Sequence, residues 1–405
     1  MKFPVEQILD LPGMKVLSCQ DIEGFGLIIE IQADSKSCTC PRCGKASYSI
    51  HQNHWRNIKD LPWSNQSVIL KINRRQFRCK NCQKPFSEDL DFVDKQRGYT
   101  KRFAIEIVKQ VLDSNIRSIA QRNDLSESEV QSMLDYLESE MRIDLSEIER
   151  LGMDEISLVK GQGNYLGVLV DLDSGNPIDI VESRRQSEMN KALQSMGSEV
   201  LEQIQEVSID LWKPYKSLVE QLMPNADVTV DRFHVMKQVN DELDAARKQE
   251  KREAIALKNK SEKERMLSGL LKSKYSLLKN EDSLTDQQKE KLISIQDVSP
   301  RLSKMHALKE EFRNIFDTAE SWGDGVIKLL DWMSDSSLYF PKTIRTICRW
   351  FGDIVGYFDR RTTSGMVEGI NNKLKLIKRL GYGFRNFANF RLRCLLSWHF
   401  SVKSS

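Results

Sequence analysis

Three aspartates in the middle of the chain sit where metal chemistry would need them. Asp154 lies in the apolar run GMDEISLV, Asp210 falls in EVSIDL and Asp231 ends ADVTVD. Carboxylates that reach a solvent cleft from sheet strands form a natural cage for Mg2+. That ion takes one or two carboxylates, keeps several waters and completes its shell with substrate phosphates. Two such ions flank the attacking and leaving oxygens of an in-line phosphoryl transfer. Taken singly, each aspartate also reads as an ordinary strand-end residue, because one carboxylate is no motif. The cysteines are more specific. Cys40–Pro41–Arg42–Cys43 and Cys79–Lys80–Asn81–Cys82 are paired C-x2-C knuckles. They place four thiolates around one ion, and tetrahedral Zn2+ is the usual occupant of such a closed structural site. Cys38 lies close enough to compete as a ligand, whereas Cys19, Cys348 and Cys394 read as small buried residues. His51 and His54 read as surface or structural residues, since four cysteines already fill the shell.

The elements that must position the aspartates can be read from the pattern. GMDEISLV and NYLGVLVDLDSGNPIDIVES give strands, the latter turning at Asp173–Ser174–Gly175–Asn176, where Gly and Asn tolerate positive φ. Met189, Leu193, Met196, Val200, Leu201 and Ile204 give a helix over 186–205. The strands EVSIDL and ADVTVD then flank a helix through Tyr215–Leu222 that Pro224 stops. A hairpin followed by alternating helices and strands predicts a mixed α/β sheet covered by helices. From Lys248 to Phe340 the chain is polar, charged and helical, an all-helical insertion without chemistry of its own. Beyond it, Val367, Ile370, Leu374 and Ile377 mark a helix face. Glu368 is the sole acid between Arg360 and the C-terminus, beside Asn371, Asn372, Lys373, Lys375, Lys378 and Arg379. Two readings stay open for it: a salt-bridge partner, or a carboxylate that reaches a metal while its neighbours hold phosphates.

Net charge is only +3, but it is unevenly spread. Lys36–Ser87 holds eleven Lys/Arg against Asp60 alone, Gly369–Arg393 holds seven against none, and Asp124–Glu155 holds eleven acids against two arginines. The basic blocks fit a polyanion. In the first, Arg56, Lys59, Lys71, Arg74, Arg75, Arg78 and Lys80 interleave with Trp55, Trp63 and Phe77, which suits contact with a nucleic-acid backbone. Between Thr100 and Glu140 three short helices predict a helix-turn-helix, with Ser126 and Glu129 forming a capping box on the third. That third helix carries Glu127, Glu129, Asp135 and Glu138, which phosphates would repel, so the module either reads DNA weakly or contacts protein. No apolar run is long enough to span a membrane and the start lacks a signal-peptide core, so the expected location is cytoplasmic.

Together, CPRCG…CKNC, MDEISLVKG, SIDLWKPY, MPNADVTVDRFHVMK and SGMVEGINNKLKLIKRLGYGFRNFANFRLR resemble the ISL-three family transposases of bacterial insertion sequences, in the same order along the chain. The resemblance implies an N-terminal segment over 1–35, a zinc ribbon over 36–90 and a helix-turn-helix over 91–148. It implies an RNase H-like DDE catalytic domain over 149–395, interrupted by the helical insertion at about 248–345, and a tail over 396–405. It assigns Asp154, Asp210 and Glu368 as the catalytic triad, with Asp231 supporting, and Cys40, Cys43, Cys79 and Cys82 to zinc. Arg74, Arg75, Arg78, Lys373, Lys375, Lys378 and Arg379 would contact DNA. The implied activity is cleavage and transfer of DNA strands with two Mg2+ ions, acting on double-stranded terminal repeats and target DNA as a homo-oligomer. The alternatives are a non-catalytic DNA-binding regulator built on the ribbon and helix-turn-helix, and a nuclease that cuts without joining.

Overall fold

The computed structural model describes residues 5–157, 165–361, 365–381, 384 and 386–400. Leu158–Lys160 and Gly161 of the first predicted strand motif, Thr363 and Ser364, and Tyr382, Gly383 and Arg385 of the last motif lie outside them. The chain forms two compact units, Met1–Met141 with Arg379–Arg385, and Arg142–Lys378 with Asn386–Ser405.

In the first unit, β1 (Met14–Ile22) and β2 (Gly26–Ala33) form a hairpin; β3 (Cys38–Thr39) and β4 (Ala46–Ser47) carry the first knuckle. The long strands β5 (Ile50–Trp63) and β6 (Gln66–Arg78) follow, then β7 (Pro85–Ser87). The sheet order is β1-β2-β6-β5, with β7 pairing β6. Ile29, Ile31, Ile58, Val68, Leu70 and Ile72 are its buried core. The knuckles rest on the stacked rings of Phe77 and Phe86. A short helix, Val5–Leu9, precedes β1, and three longer helices complete the unit: Lys101–Leu112, Ile116–Arg122 and Glu127–Glu140. Each of these three is capped by its own sequence. The Thr100 side chain accepts from Phe103 N, Asn115 from Ser118 N, and Ser126 and Glu129 form the expected capping box.

In the second unit, β8 (Arg150–Ser157), β9 (Tyr165–Asp171), β10 (Asn176–Val181), β11 (Glu206–Ile209) and β12 (Asp227–Val230) form a sheet of order β10-β9-β8-β11-β12. β9 is antiparallel to both β8 and β10, whereas β8, β11 and β12 run parallel. The sheet is therefore mixed α/β, as its sequence pattern predicts. The hairpin turns where expected: Gly175 adopts φ 72°, and the Asp171 carboxylate accepts from the backbone of Asp173 and Ser174. The helix expected over 186–205 is instead two, Gln186–Gln194 and Ser198–Gln203, because Gly197 at φ 93° breaks the run. Lys213–Leu222 carries Pro214 in its first turn, where the missing N–H costs nothing. Every described element between β12 and Gly365 is helical, beginning with the long Arg232–Ala256 helix. These helices share one apolar core with the sheet, running from Met153 and Ile209 to Phe312, Trp332 and Phe358. Among the described residues, no helix is long and apolar enough to cross a membrane.

Candidate functional site

Strand register brings the aspartates together. Met153 of β8, Ile209 of β11 and Val230 of β12 are aligned across three adjacent parallel strands. The next residues are Asp154, Asp210 and Asp231, which therefore lie at one level: Asp210 and Asp231 just past the ends of β11 and β12, and Asp154 inside β8, paired with Val168 of β9. They line one small pocket with His234 and Val367. Asp210 and Asp231 are buried, and the Asp154 carboxyl is 18 % exposed.

Each carboxylate is held differently. Asp231 accepts from Phe233 N at 2.9 Å and caps the Arg232–Ala256 helix. One helical turn on, His234 Nε2 stands 3.7 Å from Asp231 Oδ2 and 3.9 Å from Asp154 Oδ1. Asp154 accepts from Glu155 N at 2.7 Å and, through its other oxygen, from Asn371 Nδ2 at 2.6 Å. Burial raises the Asp154 carboxyl above the ordinary range, against the pull of the Glu155 N–H, His234 and Asn371. Asp210 has no such support: its Oδ1 is buried without a hydrogen-bond partner. Burial, and then the charges of Glu155 and Asp154, push its pKa up to about 7. Glu155 is engaged by Arg184 at 2.7 Å, and that guanidinium stacks over Tyr165 and Trp212 at 4.3 and 4.5 Å.

Glu368 lies elsewhere. It sits in the first turn of the Gly365–Leu380 helix, directly after Val367, but its side chain is exposed. It lines a neighbouring cavity of about 460 Å³ with Arg232, Phe233, Met236 and Arg313. The Arg232–Ala256 helix contributes residues to both spaces. The same Gly365–Leu380 helix delivers Asn371 to Asp154, a contact that its basic strip concealed. His234 was likewise visible only as part of the DRFH run. Its place three residues past a strand-end aspartate is the signal that it faces the same pocket.

The cysteines converge fully. Ligand atoms of Cys40, Cys43, Cys79 and Cys82 all lie within 4.8 Å of one another, the only group of three or more potential ligands so close among the described residues. The knuckles share one backbone design: Gly44 N donates to Cys40 O and Gln83 N to Cys79 O, both at 2.9 Å, with Gly44 and Gln83 in the left-handed region. Four thiolates in this shell fit a tetrahedral zinc ion. Cys38 is not in the group, and burial raises its thiol pKa. Cys19 and Cys348 are exposed, contrary to expectation, and only Cys394 of the three is buried.

A model of the transposase family matches residues 151–394, well over half of the chain. The chain belongs to the ISL3 family of transposases. Within this transposase, residues 36–82 match the zinc finger of transposases IS204/IS1001/IS1096/IS1165, and residues 88–137 the helix-turn-helix domain of transposase family ISL3. Over 390 residues it is 26% identical to the transposase for insertion sequence element IS1001 of Bordetella parapertussis, covering 94% of each chain. Over 371 residues it is 26% identical to the transposase for insertion sequence element IS1557 of Mycobacterium tuberculosis (strain CDC 1551 / Oshkosh), covering 86% of this chain and 82% of the relative.

The expected DNA contacts divide. Arg74 and Arg75 are buried, which corrects their reading as an open basic surface. Arg75 forms a buried ion pair with Glu88 at 2.8 Å, and Arg74 donates to Glu88 O and faces Asp89 at 3.6 Å. The acids that claim them lie just past the basic block. Lys373 donates to Ser397 O at 2.9 Å and stands 3.9 Å over the Trp398 ring, so it braces the Phe387–His399 helix. Arg78, Lys375 and Arg379 are exposed.

Proposed function

We propose that this transposase cuts and joins DNA strands at the pocket of Asp154, Asp210 and Asp231, in an RNase H-like catalytic domain of DDE type. The observation that carries the reading is the common level of the three carboxylates on adjacent parallel strands, Asp154 within β8 and Asp210 and Asp231 just past β11 and β12. The sheet order and the single reversed strand β9 support the RNase H-like assignment. The oxygen-rich donor set and the unpartnered Asp210 Oδ1 suit a hard cation such as Mg2+. Magnesium bound there would supply Lewis-acid stabilisation of the charge that develops on the phosphate oxygens.

Asp154 and Asp210 would hold the cation from the sheet, and Glu368, which follows pocket-lining Val367, would turn from the neighbouring cavity to serve as third ligand. The Asn371 amide fixes the rotamer of Asp154, and His234 offers a donor between Asp154 and Asp231. Exposed Lys375, with Arg78 and Arg379, would grip the phosphate backbone. Hydrolysis at the element end frees a 3′ hydroxyl, whose oxygen then attacks a target phosphodiester. Each step makes one P–O bond and breaks one. Two element ends must be held at once, so the working form is a homo-oligomer.

The test is nicking of a labelled element-end duplex with Mg2+ by wild type, Asp154→Asn and Glu368→Gln. The expected result is that both variants bind the duplex and neither nicks it. Nicking by Glu368→Gln at the wild-type rate would move the third ligand to Asp231, which already shares the pocket. Nicking by Asp154→Asn would refute the site. A strand-joining readout on the same substrate separates a transposase from a simple nuclease.

A further inference from the structure

We infer that the outer half of β5, Ile50–Trp55, reads base edges of double-stranded DNA and supplies the sequence selectivity of this transposase. The inference rests on the protein binding duplex DNA. β5 closes the sheet on one side. Its inner half is covered by the helix-turn-helix, through the Lys59–Tyr99 bridge and the ion pair of Asp60 with Arg102. Its outer half is open. All six residues from Ile50 to Trp55 are exposed, while their partners Asn73, Arg74 and Arg75 on β6 are buried. Open edge strands are blunted by devices that include lysine, proline and bulges. Apart from a register shift between Ile50 and Gln52, this half-strand carries none of these.

It carries instead His51, Gln52, Asn53 and His54, four consecutive side chains that both donate and accept hydrogen bonds. Asn and Gln match adenine in the major groove, and that groove admits a strand pair as well as a helix. The register puts Gln52 and His54 on one face, and Asn53 and Trp55 on the other. Asn73 Nδ2 donates to Asn53 Oδ1 at 3.2 Å and so orients the Asn53 amide before any ligand arrives. Large apolar groups frame the polar run, with Tyr48 72 % exposed, Ile50 49 % and Trp55 43 %. Such groups suit thymine methyls and sugar faces.

The electrostatics agree. Asp60 is the sole acid in Lys36–Ser87, and it is buried, accepting from Thr100 Oγ1 at 2.7 Å and Arg102 Nε at 2.8 Å. Exposed Arg42, Lys45, Arg78, Lys80 and Lys84 flank the strand from the knuckles, placed to hold phosphates. The third helix of the helix-turn-helix offers the opposite field, since Glu127, Glu129, Asp135 and Glu138 are all exposed on it.

The experiment selects duplexes from a randomised pool with the full-length protein, then measures affinity for the enriched duplex and a scrambled one. It compares wild type with Gln52→Ala/Asn53→Ala/His54→Ala and with Ser128→Ala/Gln131→Ala on the third helix. The strand variant should lose roughly tenfold or more of its preference for each base pair it read. Its binding to scrambled duplex, and the salt dependence of that binding, should not change, which also shows that it is folded. The helix variant should keep its preference. The inference is overturned if the strand variant keeps the wild-type preference, or if wild type binds duplexes but enriches none. Failure of wild type to bind any duplex would instead bring down the DNA-binding reading and this inference with it.

Discussion

The carboxylate pocket should weaken the metal-free protein, and Asp210→Asn measures by how much. Asp210 has a buried oxygen without a partner and faces the charges of Glu155 and Asp154. Its pKa therefore rises from the ordinary 3.8 to about 7. At about 1.4 kcal/mol per pH unit, that rise penalises the ionised folded form by about 4 kcal/mol. The sign follows from linkage. Between the unfolded and folded pKa values the native state binds more protons, so stability falls as pH rises through that window. The penalty is absent below about pH 4 and fully developed above about pH 7. Asparagine keeps the shape and does not titrate. Chelator-treated Asp210→Asn should therefore resist urea better than wild type at about pH 8, by up to about 4 kcal/mol, with the gap closing towards about pH 4. Mg2+ should narrow the gap by binding wild type preferentially. A variant less stable than wild type by the same amount at both pH values would refute the reasoning, because the carboxylate would then be a structural asset.

Three further outcomes follow from the first unit. Arg75→Ala leaves Glu88 buried without its partner and should cost about 3–5 kcal/mol in denaturant unfolding. Arg78→Ala should change stability by no more than about 0.5 kcal/mol, while lowering duplex affinity and the salt slope by about 1. Elemental analysis should find one zinc per chain in wild type and Cys38→Ser, and none in Cys79→Ser; zinc loss from Cys38→Ser would place that thiol in the shell.

Local signals in the sequence were enough to find much of this architecture. The Asp173–Asn176 turn, the Ser126–Glu129 box and the two knuckles each depend on residues within a few positions of one another, so pattern alone reveals them. The strand-end placement of Asp210 and Asp231 was also legible, because apolar runs mark where strands stop; Asp154 stands inside its strand, within the run GMDEISLV. Most of what was hidden depends on partners outside the local run. Arg74 and Arg75 belong to a basic run, yet Glu88 and Asp89 draw them inward. Asn371 stood among lysines, and nothing nearby pointed to Asp154. The break at Gly197 was missed because the apolar residues on either side keep helical spacing across it.

The bond from Asn371 to Asp154 spans 217 residues. At cellular synthesis rates of about 5–20 residues per second, the two are made roughly 10–40 s apart. Once Asp231 is made, and for the rest of that interval, the chain of the zinc-binding unit up to Met141 and all three aspartates exist while the helix that braces Asp154 does not. A chain interrupted inside the insertion would keep every element of the first unit up to Met141 and lack both Asn371 and Glu368. On the proposed assignment of Glu368, such a fragment would occupy DNA without cutting it, and premature termination would produce a competitor of the full-length protein.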